Sequence, residues 1–115
     1  MKLPPEGKLL RIFIGESDKH DSQPLYEWLV IQAKEMGLAG ATVIRGLMGF
    51  GATSRIHTSK ILRLSMDLPI IVEIVDTNEK IQAYVSRIED VLQGGLVTLE
   101  KAEVQIYTHK SKKTK

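Results

Sequence analysis

Residues 41–75 read ATVIRGLMGFGATSRIHTSKILRLSMDLPIIVEIV. Two strand-like runs, Ala41–Met48 and Ile70–Val75, are joined by about twenty residues, far more than a hairpin needs. Loops of this length in compact domains are usually functional or disordered. This one starts with Gly46, Gly49 and Gly51, then carries Arg55, His57, Lys60 and Arg63 among Ile56, Ile61, Leu62 and Leu64. The apolar punctuation separates it from a polar linker. Its glycines supply a flexible base, and its side chains supply donors and positive charge along its length.

Upstream, Leu9–Ile14 is a short apolar run bounded by Gly7 and Gly15, the pattern of a buried strand. A polar loop, Gly15–Ser22, leads to Pro24, which suits the first position of a helix because its missing N–H has no partner to lose there. Leu25, Trp28, Leu29, Ala33 and Met36 follow at helical spacing, and Gly37 accepts the left-handed conformation that ends the helix. Downstream, Pro69 opens a third strand, IIVEIV, apolar at nearly every position, so both of its faces call for burial. Asp76, Thr77 or Asn78 caps a second helix with the stripe Ile81, Tyr84, Val85, Ile88 and Leu92, stopped by Gly94-Gly95. A last strand is expected where Ala102, Val104 and Ile106 alternate with Glu103, Gln105 and Tyr107. Leu96–Leu99 is out of phase with it and is expected to form a separate turn or short strand.

The order is βαβ, long insertion, βαβ. Two right-handed units placed head to tail give an α+β, ferredoxin-like βαββαβ sandwich: four antiparallel strands with both helices on one face. The uncovered face of such a sheet would be apolar, and large exposed apolar patches usually mark interfaces. A symmetric homo-oligomer packed sheet to sheet is the expectation.

The 115 residues make one domain, 1–115, with 43% hydrophobic content, enough for a modest core. Net charge is +2, from 16 basic and 14 acidic residues. Lys110, Lys112, Lys113 and Lys115, in a basic tail spanning 109–115, account for that excess. The body is near neutral, which speaks against a nucleic-acid surface. Without cysteine there is no disulfide, Cys-ligated zinc, Fe–S cluster or thiol catalysis. No apolar run reaches transmembrane length, and MKLPPEGKLLRIFIGE lacks the clean apolar stretch of a signal peptide. A soluble cytoplasmic protein is expected.

Few residues suggest chemistry. Gly46-x-x-Gly49-x-Gly51 is not the dinucleotide fingerprint, since the spacing is reversed and no helix follows. Such glycines can bring main-chain N–H groups close to a phosphate, or simply turn the chain out of the sheet. Arg45, Arg55, Lys60 and Arg63 could pair with phosphate oxygens or sit in solvent; Arg63, near the loop's exit, is the stronger candidate. His20 with Glu16, Asp18 and Asp21, and the isolated His57, are loose as metal patterns, and Asp18 and Asp21 are expected to help start the first helix. Ser17, Ser54, Ser59 and Ser65 have no recognisable base partner, so no catalytic residue is assigned and the chain is expected not to be an enzyme. Glu73, inside a strand, reads as an oligomer contact or a solvent-facing residue. RNA-recognition domains share the strand order, but IIVEIV carries no aromatic platform. The acylphosphatase variant needs an anion cradle after the first strand, where this chain has the acidic GESDKH.

The string PLYEWLVIQAKEMGLAGATVIRGLMGFGATSRIHTSKILRLSMDLPIIVEIVD closely resembles the small PII-like proteins of domain of unknown function 190, also termed uncharacterised protein family 0166. The resemblance runs from about Leu9 to about Val104, with a core of GLAGATVIRGLMGFG, IHT and LPIIVEIVD. It implies a branch of the PII signal-transduction superfamily: a homotrimer whose sheets face a central axis, with the excursion, about residues 49–67, as the T-loop that PII regulators insert into partners. PII proteins carry Gly-Phe-Gly at the start of the T-loop, matched by Gly49-Phe50-Gly51, and a third strand beginning Leu-Pro, matched by Leu68-Pro69. They bind adenine nucleotides in clefts between subunits, walled by the T-loop base and by the loop between helix two and the last strand. Those walls correspond here to Gly46–Gly51 and Gln93-Gly94-Gly95.

The resemblance therefore implies a ligand site at Gly46, Gly49, Phe50, Gly51, Arg63, Gly94 and Gly95, for ADP, AMP or ATP. The PII phosphate-binding run Gly-Asp-Gly-Lys-Ile-Phe is replaced by QGGLVTLEKAEV, which speaks against ATP held in the PII manner and leaves a shorter nucleotide, ADP or AMP, or another anion open. No tyrosine lies between Gly49 and Leu68 to carry PII-style nucleotidylylation. The implied function is a non-enzymatic trimeric sensor acting through its T-loop on a target protein, by analogy a membrane transporter or channel. Two alternatives stand beside it. One is a divalent-metal-handling trimer resembling the divalent-cation-tolerance proteins, with His20, His57 and nearby carboxylates as ligands. The other is a protein-interaction module with no ligand.

Overall fold

The computed structural model describes residues 5–51, 57–58 and 67–108. In chain order the elements are β1 (Glu6–Gly15), β2 (Lys19–His20), β3 (Gln23–Pro24), α1 (Leu25–Glu35), β4 (Thr42–Arg45), β5 (Met48–Gly49), β6 (His57–Thr58), β7 (Pro69–Asp76), α2 (Asn78–Ile88) and β8 (Leu96–Glu103). Four of the strands form an antiparallel sheet in the order β4-β7-β1-β8. Each βαβ crossover places its helix on the same side of that sheet, giving the ferredoxin-like sandwich.

The core follows from the strand period. Leu10, Ile12 and Ile14 of β1 and Ile70, Val72 and Ile74 of β7 point under the helices and are buried. Leu25, Leu29 and Ala33 of α1 and Ile81, Tyr84 and Ile88 of α2 close over them. Burial pushes the Tyr84 phenol up, and its hydroxyl donates to the Leu29 carbonyl at 2.7 Å, which ties the two helices. Asp76, the one fully buried charged residue among those described, accepts from Ala39 N–H at 2.8 Å and from Thr77 N–H at 2.7 Å. It pins the end of β7 to the α1–β4 loop and to the start of α2. Thr77 is the N-cap of α2, its hydroxyl accepting from Lys80 N–H. Gly37, at φ +76°, ends α1 as expected.

Several boundaries differ from the sequence expectation. Pro24 caps α1 instead of occupying its first turn, and it pairs with Lys19 across a two-residue hairpin whose corners, Asp21 and Ser22, have positive φ. Asp18 serves that loop: its side chain accepts from Gly15 N–H, and its carbonyl, not its carboxylate, receives Leu25 N–H. The strand expected over Ala41–Met48 breaks into β4 and β5, because Gly46 donates to the Pro69 carbonyl at 2.8 Å and the chain then leaves the sheet. Helix α2 stops at Ile88 with a turn through Val91 and Leu92, ahead of Gly94-Gly95.

The last strand is Leu96–Glu103, in register with β1 from Glu6↔Glu103 to Phe13↔Leu96, and not Ala102–Tyr107. It lies at the sheet edge with both faces poorly covered, so its apolar phase does not report burial. The third strand alternates strictly between buried and half-buried residues; only one of its faces is closed within the chain.

The other face carries Leu9, Arg11, Phe13, Ile71, Glu73 and Val75, all half-buried. At its centre Arg11 Nε lies 2.9 Å from Glu73 and its Nη1 lies 3.1 Å from Glu100. The hydrogen bond to Glu73, then the charges of both carboxylates, hold the guanidinium above its ordinary range against the opposing effect of desolvation.

A candidate ligand groove at the foot of the excursion

The excursion leaves and re-enters the sheet around Pro69. A Cβ on Gly46 would lie 2.8 Å from Pro69 Cγ, and one on Gly49 would lie 2.9 Å from it. Both glycines therefore allow close packing on the proline ring. Beyond them the two-residue strands β5 and β6 pair Gly49 with His57 through the main chain. On the returning side the Leu68 carbonyl accepts from Glu16 N–H at 2.8 Å, and Asp67 Oδ1 accepts from Ser17 N–H at 2.8 Å. The loop's two feet and the β1–α1 turn thus form one hydrogen-bonded unit.

Beside this unit lies an open groove of ≈ 1010 Å³. One wall is Gly49-Phe50-Gly51 with Pro69, and the other is Gln93-Gly94-Gly95-Leu96. The end of β1, Phe13 to Gly15, lies between them, with Asp18, Lys19 and Asp67 as the charged lining. Gly95 is there for a steric reason, since a Cβ would lie 2.9 Å from the Phe13 carbonyl oxygen, a main-chain atom that cannot step aside cheaply. Gly94 faces open space. Phe50 is 71% exposed at the mouth, next to exposed Met48 and Leu47.

Five of the sequence-derived site residues, Gly49, Phe50, Gly51, Gly94 and Gly95, therefore line a single groove within one chain. Gly46 does not line it and instead supports it from behind, through Pro69. Arg63, Arg55 and Lys60 lie outside the described residues. Arg45 is engaged, its Nη1 lying 2.8 Å from Glu16 Oε2. Sequence reasoning read Asp18 only as part of a loose metal pattern and as a helix-start residue, and it did not single out Lys19, Asp67 or the end of β1. The only signal for them was position: Asp67 directly precedes Leu68-Pro69, and Gly15-Glu16-Ser17-Asp18 follows the first strand.

His20 makes an edge contact with the Trp28 ring, centroids 4.7 Å apart, and its Nε2 lies 3.5 Å from Asp21. Among the described residues no three histidine or carboxylate groups converge on a point that could hold a metal ion. No described helix is long and apolar enough to cross a membrane.

The profile of the DUF190 family, described as an uncharacterized ACR, matches residues 7–104. The chain belongs to the DUF190 family. A UPF0166 protein of Aquifex aeolicus is 44% identical over 97 residues, covering 84% of this chain and 91% of that one. A UPF0166 protein of Methanocaldococcus jannaschii is 32% identical over 100 residues, covering 86% and 92%. Among solved structures, CPII from Thiomonas intermedia K12, a nitrogen regulatory PII-like protein bound to ADP, AMP and bicarbonate, superposes with a TM-score of 0.66 at 17% identity. That match covers 86% of this chain and 88% of CPII. This DUF190 chain thus has the PII-like version of the ferredoxin-like fold.

Proposed function

We propose that this protein is a non-enzymatic, cytoplasmic PII-like sensor. It works as a homotrimer, takes an adenine nucleotide in the groove at the foot of the 49–67 excursion, and acts on a target protein through that excursion as a T-loop. The observation that carries the proposal is the meeting of Gly49-Phe50-Gly51 with Gln93-Gly94-Gly95 across one groove that touches both feet of the loop. Glycine walls let phosphate oxygens approach the main chain closely, and a ligand there contacts the residues from which the loop departs. Binding energy that differs between loop arrangements then shifts their populations. The PII-like fold shared with CPII, a protein bound to ADP and AMP, supports the ligand class.

The open sheet face supports assembly. Leu9, Phe13, Ile71 and Val75 are half-buried there, with Ile44 at 42% and Leu96 at 58% exposure, an apolar rim around the Arg11 ion pairs. A membrane transporter or channel as the target follows from PII analogy alone.

Calorimetric titration with AMP, ADP and ATP tests the proposal, alongside light scattering for the trimer. Saturation near one ligand per subunit is expected. Gly51→Val, at the loop foot lining the groove, is expected to abolish the binding heat while leaving the melting curve intact. Unchanged affinity in that variant would remove the groove from the mechanism.

A further inference from the structure

Asp18 and Asp67 meet at the end of β1, both half-buried in the lining of the groove. Each is held rigid by main-chain donors: Asp18 Oδ2 accepts from Gly15 N–H at 3.0 Å, and Asp67 Oδ1 from Ser17 N–H at 2.8 Å. The fit is close, since a Cβ on Gly15 would lie 2.7 Å from Asp67 Oδ1 and 2.8 Å from its Oδ2. Asp18 Oδ1 and Asp67 Oδ2 make no hydrogen bond to the described residues, and neither carboxylate is ion-paired among them. Lys19 is the one cation in the described lining, and it is exposed. Two carboxylates and one ammonium leave the described lining with a formal charge of −1.

A phosphate chain extended along such a groove gains anionic charge against fixed carboxylates in a partly desolvated space, where like charges repel more than in water. Hydroxyl or amine donors meet the opposite situation, because each carboxylate offers an acceptor oxygen that no described residue uses.

On the reading that the groove takes an adenine nucleotide, we infer that Asp18 and Asp67 determine its selectivity. They receive the hydroxyl or amine donors of the nucleoside and disfavour each added phosphate, so the ligand is a nucleoside carrying few phosphates. Asp67 is the last residue of the excursion, so it also places this selectivity at the loop's exit.

The test is calorimetric titration of adenosine, AMP, ADP and ATP, without divalent cations, against wild type, Asp18→Asn and Asp67→Asn. Asparagine keeps the oxygen that accepts the main-chain N–H, so the fold is expected to survive, which thermal melting checks. Glu35→Gln, an exposed carboxylate at the end of α1, controls for net charge. The expected result is that wild type prefers AMP to ATP, and that each asparagine variant shrinks this preference on the order of tenfold, the size expected for removing one nearby charge. Glu35→Gln is expected to leave it unchanged. An AMP-to-ATP ratio that is the same in wild type and both variants overturns the selectivity role while leaving nucleotide binding intact. Wild type that binds none of the four overturns both.

Discussion

On the helix-covered face of the sheet, Leu10, Ile12, Ile14, Ile70, Val72 and Ile74 are each at most 7% exposed. One residue along each strand, Leu9, Arg11, Phe13, Ile71, Glu73 and Val75 are only half-buried. The same strands and nearly the same residue types make both faces; what differs is the cover. The covered face is closed by this chain's own helices and ends in a single buried carboxylate, Asp76, both of whose oxygens are used. The open face keeps apolar side chains around a partly solvated ion-pair network, a composition fit for a second surface rather than for bulk water. The comparison teaches that apolar content along a strand does not report which face the chain closes: β7 is apolar on both sides, and this chain closes one of them.

The sharpest way to break this comparison is to truncate the same residue type on each face. Ile12→Ala is expected to cost about 2–5 kcal/mol in denaturant unfolding, through lost burial and the cavity left behind. Ile71→Ala is expected to cost under about 1.5 kcal/mol in the dissociated chain but to weaken self-association, read by sedimentation across a concentration series. Equal losses on both faces, with association unchanged, would contradict the assignment of the open face as an interface.

A smaller effect is expected within the covered face. Tyr84→Phe removes the hydrogen bond to Leu29 at a cost of about 1 kcal/mol. The pH dependence is more telling. The folded Tyr84 pKa is raised, so its stabilising contribution is whole below the unfolded tyrosine value of about 10 and is lost as pH rises beyond it. Wild type is expected to lose stability above about pH 10, and Tyr84→Phe to lose less, measured as the slope of melting temperature against pH.

The smallest effect belongs to the open face. Arg11→Gln is expected to change monomer stability little, with any difference screened by added salt, since its ion pairs are partly solvated. A large, salt-independent loss would mean that this face is closed more tightly than the chain by itself shows.

Much of the fold was legible because its signals are local. Helical spacing of Leu25, Leu29 and Ala33 and of Ile81, Tyr84 and Ile88, the stop at Gly37 and the proline opening β7 each depend on a few neighbouring residues. The candidate groove was half legible. Gly49-Phe50-Gly51 and Gly94-Gly95 stood out by composition and resemblance, and they do face one groove. Asp67 did not stand out and Asp18 was assigned other roles, because each is an ordinary loop aspartate until a hydrogen bond spanning 50 positions, Ser17 to Asp67, brings the loop exit onto the first turn.

Sequence by itself determined the βαβ, excursion, βαβ order and the residues able to form a core, since both rest on periodicity and on glycine and proline stereochemistry. Only the tertiary structure decided where β8 pairs, because an edge strand with two poorly covered faces carries no phase that reports burial. It alone decided which side of IIVEIV is closed, because both sides are apolar. It also decided that Gly46 serves the Pro69 ring while two aspartates line the groove, because contacts between distant segments depend on how the strands stack and not on what any segment prefers alone.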